Sequence, residues 1–306
     1  MRVPTPKRSV KLAISLVYYV CLTVLRGGGR LVGRPAKQRL TILYYHGIST
    51  EDRPNFARQM DFLQRTACVL EASYRGELPS DKKCVAITFD DAFQNLTENA
   101  LPELSARSFH STMFVPVGLV GKNPTWEMEE GNHDSEEVVM TAEQLRALSL
   151  STVSLGSHTI SHPSMFTLDK KLAREEIEGS RDQLAKLCGR EILLFSFPYG
   201  HHDSSTVEMC RDAGYECVYS IIPEEVDTAT SEILRGRTKV DPSDWPIEFF
   251  LKTKGAYVWT AQIASLRLKL RSIIGSKPEQ SAMPRFYPKK ETNGLGRNEA
   301  IRRRGL

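Results

Sequence analysis

Val85-Ala-Ile-Thr-Phe-Asp-Asp91 carries an apolar, β-branched run straight into two adjacent carboxylates. Val85 to Phe89 reads as a buried strand, being short, continuous and rich in β-branched and aromatic side chains. Neighbouring acids repel, and burying them is costly unless a cation compensates. One reading of the pair is structural: a strand end, then a helix from Phe93 to Leu104 with one aspartate as its N-cap. The other is a functional site at the carboxyl end of a parallel strand, the face where β/α folds gather their chemistry.

Working outward from this segment, the same alternation recurs. Further strands are expected over Leu40–Tyr45, Thr112–Val117, Val153–Leu155, Leu193–Phe197, Cys217–Ile221 and Ile233–Arg237, seven in all with Val85–Phe89. Helical patterns lie between them. Thr141-Ala-Glu-Gln144 has the form of a capping box, opening a helix through Leu148. Leu168, Leu172, Ala173, Ile177, Leu184 and Cys188 make a 3.6-residue stripe. Asp203 can cap a helix that Gly214 ends. Alternation of this kind predicts a parallel sheet or a β/α barrel. No internal repeat is visible.

The histidines tilt the reading of Asp90-Asp91 toward function. Ser157-His158-Thr-Ile-Ser-His162-Pro163 follows an expected strand and spaces two imidazoles four residues apart. On a helical turn that spacing puts both on one face, suited to one metal ion, with Pro163 stopping the turn. Two histidines and one carboxylate leave coordination positions open, as a catalytic metal needs. Phe195-Ser-Phe-Pro-Tyr-Gly200 is a turn at another strand end, where a backbone N–H could point into the site. His46, in Leu43-Tyr-Tyr-His46-Gly, ends the first strand at the same face. His201 and His202 are expected at the rim or in solvent, not as ligands.

TFDD, SHTISHP and FPYG, in this order, closely resemble the motifs of polysaccharide deacetylases with the NodB-homology domain (carbohydrate esterase family 4). The resemblance spans roughly residues 40 to 257 and implies an α/β fold, a distorted (β/α)7 barrel. It implies that Asp90 is the general base and that Asp91, His158 and His162 bind one divalent metal. Zinc is expected, with cobalt or nickel as alternatives. It assigns the oxyanion donor to the Tyr199 backbone N–H. Two features depart from the usual pattern: Ser196 stands where an Arg normally orients the base, and no histidine follows His202 to give the late Leu-x-His motif. The subclass acting on poly-N-acetylglucosamine and exopolysaccharides is similar on both counts. There a Tyr-His near the N-terminus supplies the general acid, a role that falls on His46 of Tyr45-His46. Arg237, in Leu234-Arg-Gly-Arg-Thr-Lys-Val240, is the candidate to replace the missing Arg, with a surface position as the alternative.

The reaction implied is hydrolytic removal of N-acetyl groups from an N-acetylhexosamine polysaccharide, with release of acetate. Peptidoglycan and lipid-linked glycans are alternative substrates. A catalytically weak glycan-binding barrel is an alternative of another class. A structural metal site fits poorly, because structural zinc is closed by four protein ligands.

Charge distribution bounds the partners. Residues 1–39 hold nine Lys/Arg and no acid, and 285–306 hold seven Lys/Arg and two acids, so residues 40–284 carry a net charge of −10. That argues against a nucleic-acid groove and for basic ends that could touch an anionic membrane. The chain divides into a basic, apolar segment 1–39, a catalytic domain 40–275 and a basic tail 276–306. Leu12 to Leu25 is an apolar run, too short on its own to span a bilayer. A short or interfacial membrane anchor is the first reading, an uncleaved signal-anchor the second, and a helix packed on the domain the third. A cell-envelope or membrane-associated bacterial location follows. Six scattered cysteines with no CxxC pair predict free thiols. Residues 127–137, EMEEGNHDSEE, read as a solvated acidic loop.

Overall fold

The computed structural model describes residues 5–33, 36–128 and 131–264, apart from the Arg30 side chain. The expected tail, 276–306, and the end of the expected catalytic domain lie outside these residues.

Among the described residues, ten strands form one sheet: β1 (Leu40–Tyr45), β2 (Ala67–Val69), β3 (Lys83–Phe89), β4 (Ser111–Val115), β5 (Val153–Ser157), β6 (Leu194–Ser196), β7 (Cys217–Ser220), β8 (Glu225–Val226), β9 (Leu234–Gly236) and β10 (Thr238–Lys239). The order is β10-β1-β3-β4-β5-β6-β7-β9, parallel throughout. β9 and β10 are separated by one residue, Arg237, yet they pair at opposite edges, Leu234 with Val218 and Thr238 with Leu43. The chain itself therefore bridges the two edges, and the sheet nearly closes into a barrel. Counting β9 and β10 as one split strand gives the seven barrel strands read from the sequence. β2 lies beside the start of β3, and β8 is antiparallel to the start of β1.

The helices are α1 (Pro6–Leu31), α2 (Arg53–Thr66), α3 (Asn95–Asn99), α4 (Leu101–Ser105), α5 (Ala142–Ala147), α6 (Lys170–Cys188), α7 (Ser204–Asp212) and α8 (Pro246–Thr253). Both halves of the Thr141 capping box form. Asp169 caps α6, and Gly189 ends it in the left-handed conformation. Asp203 caps α7, and Gly214 follows at φ +87°. The helix expected over Phe93–Leu104 breaks into α3 and α4, because Pro102 has no N–H to continue the ladder. Neither Asp90 nor Asp91 caps it: Gln94 occupies the N-cap of α3 with no side-chain bond.

Strand alternation sorts the core into two shells. Leu40, Ile42, Cys84, Ala86, Phe114, Leu194, Cys217 and Tyr219 fill the barrel interior. Their odd-even partners, such as Leu43, Ile87, Met113, Leu155 and Val218, pack against the helices. Following the inward positions to the carboxyl ends gives Tyr44 and His46, Thr88 and Asp90, His158, and Ser196. Period two alone thus delivers these polar groups to one mouth. All six cysteines are free thiols.

α1 runs well beyond the apolar Leu12–Leu25 segment; at 26 residues it is about 39 Å long. One face docks on the domain. Leu12, Tyr18 and Tyr19 pack with Phe250, Leu251 and Tyr257, and Trp259 Nε1 donates to the buried Ser15 Oγ at 2.8 Å. Arg8 pairs with Glu248 at 2.6 Å and Arg26 with Glu225 at 2.7 Å. The other face leaves Val10, Ile14, Val17, Val20 and Val24 exposed. The helix is packed on the domain and still presents an uncovered apolar stripe. By length and composition alone, Pro6–Gly29 is enough to cross a membrane.

Candidate metal centre and active site

Asp91 Oδ1 lies 3.4 Å from His162 Nε2 and 3.6 Å from His158 Nε2. The three ligand atoms all fall within 4.8 Å of one another, and all three residues are buried. Metal–ligand bonds of about 2.0–2.1 Å put tetrahedral neighbours roughly 3.4 Å apart, so this spacing fits one ion. Asp91 Oδ1 and His162 Nδ1 are buried with no hydrogen-bond partner among the described residues. His158 Nδ1 lies 2.7 Å from the Ser196 carbonyl and donates to it, which turns the Nε2 lone pair toward Asp91. Burial pushes the Asp91 carboxyl well up, with Asp90 and Asp134 adding to the effect. Burial pushes both imidazoles down, with a further push on His162 from His158. A buried carboxylate and two neighbouring imidazoles are a donor set that a divalent ion satisfies.

The four-residue histidine spacing is not helical, contrary to the sequence expectation. His158 leaves the end of β5, its N–H donating to the Val115 carbonyl at 2.9 Å. The chain then turns through two left-handed residues, Thr159 at φ +68° and His162 at φ +58°. Glu176 of α6 pins the turn, accepting from the Ile160 N–H at 2.7 Å and the Ser161 N–H at 3.0 Å. Among the described residues, non-glycine positive φ occurs at Asp91, Ala92, Ser108, Thr159, His162 and Tyr199. All but Ser108 stand in this site. Such conformations cost of order 1–3 kcal/mol each and persist where surroundings over-determine them. Their clustering here marks a geometry held against local preference.

Asp90, the neighbour, faces a different partner. Arg237 Nη1 and Nη2 donate to its two carboxylate oxygens at 2.7 and 2.9 Å. Arg237 is fully buried, not on the surface. Its remaining donors reach Thr88 Oγ1, Ser196 Oγ and the Ser220 carbonyl. The Tyr44 ring centroid lies 4.8 Å from the guanidinium and that of Phe114 5.2 Å. Ser196, where the usual Arg would stand, is small enough to admit this guanidinium from the β9–β10 seam. Burial raises the Asp90 pKa, but the charge of Arg237, with His158 next, outweighs it and brings the group down to about 2. Asp90 is therefore ionised at neutral pH, while Asp91 is the acid that needs a cation.

His46 is half-buried beside Tyr44, ring centroids 5.7 Å apart. Burial, with Lys239 next, lowers it to about 3, against the pull of Asp90. Tyr199 sits at φ +57° in the Pro198–Gly200 turn, its ring edge-on to His162 at 5.0 Å. His201, half-buried, shares a 2.8 Å hydrogen bond with Ser164 Oγ. His202 is buried rather than at the rim: it stacks on Phe197 and bonds the Gly200 carbonyl.

The acidic loop is not simply solvated. Trp126 stacks on His162 with centroids 4.1 Å apart and planes inclined by 25°. Asp134 bonds the Gly47 backbone, and burial, with Glu137 next, raises its carboxyl to about 6. Trp126, Asp134 and Glu176 were not singled out in the sequence. No motif flanks them, and only tertiary packing brings them to the site. Trp126→Ala removes one wall of the His162 imidazole, a candidate ligand. About a tenfold loss of metal affinity, typical of lost ligand support, is expected in a zinc titration.

Residues 77–218 match the family model for polysaccharide deacetylases. A Bacillus subtilis (strain 168) protein, "Putative polysaccharide deacetylase YxkH", is 26% identical over 221 residues, covering 68% of this chain and 73% of its own length. Among solved structures, IcaB from Ammonifex degensii superposes with a TM-score of 0.60 at 24% identity, over 71% of this chain and 97% of that one. The Streptococcus pyogenes deacetylase PplD gives 0.58 at 21%, over 71% and 99%. These structural likenesses establish the barrel fold. Over residues 77–218 the chain is similar to the polysaccharide deacetylase family, whose substrates are acetylated glycans.

Proposed function

We propose that the protein is a metal-dependent hydrolase that removes N-acetyl groups from an N-acetylhexosamine polysaccharide of the exopolysaccharide kind. The observation that carries this is the division of labour between adjacent aspartates: Asp91 turned to two imidazoles, Asp90 to a buried guanidinium. Asp91, His158 and His162 hold the ion, zinc first by donor type. When bound, it supplies Lewis-acid polarisation of the acetamide carbonyl and lowers the pKa of water.

The chain's own residues do the rest. Asp90, ionised and oriented by Arg237, takes the proton of the attacking water. The Tyr199 N–H faces the developing oxyanion, a contribution of about 3 kcal/mol if ordinary for such donors. His46 hands a proton to the departing amine. Since His46 rests neutral, that proton is one gained within the cycle, from the water that Asp90 deprotonates. The exposed apolar stripe of α1, bordered by Lys7, Lys11 and Arg26, supports placing the domain on an anionic membrane surface of the cell envelope.

Chelation is expected to stop acetate release from N-acetylglucosamine oligomers, and one equivalent of zinc to restore it. Release that survives chelation with the protein shown metal-free would remove the reading.

A further inference from the structure

A cavity of about 350 Å³ lies between the start of α1, strand β10 and helix α8, outside the metal centre. Five cations line it, Lys7, Arg8, Lys11, Lys239 and Lys252, against one carboxylate, Glu248. Arg8 is committed to Glu248, and Lys252 to Asp244 at 2.7 Å. Lys7 and Lys11 have no carboxylate within 4 Å among the described residues, so cations outnumber carboxylates on the lining in a domain that is otherwise acidic. Like charges gathered around a hollow repel one another, so the arrangement favours an anion inside it.

A second observation points the same way. Thr238 lines the cavity and is 2% exposed, yet its Oγ1 has no hydrogen-bond partner among the described residues. A buried hydroxyl left unpaired costs about 1–3 kcal/mol, and an oxyanion in the cavity would accept its hydrogen bond. Tyr44 also lines the cavity, and its ring lies 4.8 Å from the Arg237 guanidinium that holds Asp90. Tyr44 and the Arg237 guanidinium thus stand between the cavity and the proposed catalytic base.

We propose that this cavity is a phosphate subsite, so that the glycan acted on carries a phosphate bound on the far side of Tyr44 from its acetamide. Phosphate fits better than a carboxylate, since several cations and a hydroxyl converge and it offers three or more acceptor oxygens. The exposed apolar stripe of α1 starts beside the cavity, at Val10 and Ile14. A phosphate linking a sugar to a lipid would sit at this height, and so would a phospholipid headgroup. This inference rests on the deacetylase reading only in taking the glycan as the phosphate's carrier.

The test is calorimetric binding to the full chain of N-acetylglucosamine 1-phosphate against N-acetylglucosamine, with phosphatidylglycerol against phosphatidylcholine vesicles in a parallel arm. The phosphorylated sugar is expected to bind about tenfold tighter, the factor of one charge-assisted hydrogen bond. Lys7→Ala/Lys11→Ala, at exposed positions, should abolish the preference while leaving hydrolysis of a neutral N-acetylglucosamine oligomer unchanged. Thr238→Val should weaken the same binding. Selective binding of phosphatidylglycerol vesicles that both variants reduce, without a sugar-phosphate preference, keeps the phosphate site and assigns it to a headgroup. Equal affinity in both arms overturns the proposal, as does binding that Thr238→Val leaves untouched. Hydrolysis of the neutral oligomer, measured separately, tells failure of this site from failure of the deacetylase reading.

Discussion

Arg237→Ala is expected to cost about 3–5 kcal/mol of folding stability, the range for breaking a buried ion pair by removing one partner. The variant strands Asp90, 3% exposed, without the guanidinium, and also removes the donors to Thr88 Oγ1, Ser196 Oγ and the Ser220 carbonyl. It opens a void at the seam where the chain crosses between barrel edges. The effect has a pH signature. In the wild type the Asp90 pKa is depressed to about 2. Its contribution is therefore full above the unfolded value of about 3.9 and lost as pH falls toward 2. Without Arg237 burial is opposed only by the weaker pull of His158 and His46, the carboxyl moves up, and Asp90 is protonated nearer neutrality. Turnover should then rise with pH instead of holding level through the acid range. Denaturant unfolding with a pH–rate profile checks both parts. Arg237→Lys should recover some stability but not the profile, since one ammonium cannot reproduce the two-point fork on Asp90.

His158→Ala is expected to lose the metal and with it essentially all activity. It removes one of the three proposed ligands and the Nδ1–Ser196 hydrogen bond that orients it. Two remaining protein ligands leave too many positions to water for tight zinc binding. Zinc content after dialysis is the direct readout. The fold should survive, because His158 sits beyond the last β5 residue and its N–H bond to the Val115 carbonyl is made by the backbone.

Much of this architecture is legible in the sequence because period-two strands announce themselves. Leu40–Tyr45 and the Val85–Phe89 core of β3 form as read, and inward alternation carries His46, Asp90, His158 and Ser196 to one mouth. What escapes is what depends on contacts distant in the chain. The left-handed turns at Thr159 and His162 are enforced by Glu176, fifteen residues on, so local spacing suggested a helix instead. Trp126 reaches His162 from a loop with an acidic composition that hides its burial. Pro102 broke a helix that its neighbours otherwise favour. Arg237 was reachable only as a candidate, since nothing in Leu234–Val240 says that the chain switches edges there and turns the guanidinium inward.

Acetate release by zinc-loaded wild type and zinc-loaded Asp90→Asn, compared on N-acetylglucosamine oligomers, tests the different duties of the two aspartates most directly. The account predicts equal zinc in both proteins and a turnover lower by about 10²–10⁴ in the variant, the usual contribution of a general base. Loss of zinc from Asp90→Asn, or unchanged turnover with zinc in place, would contradict it.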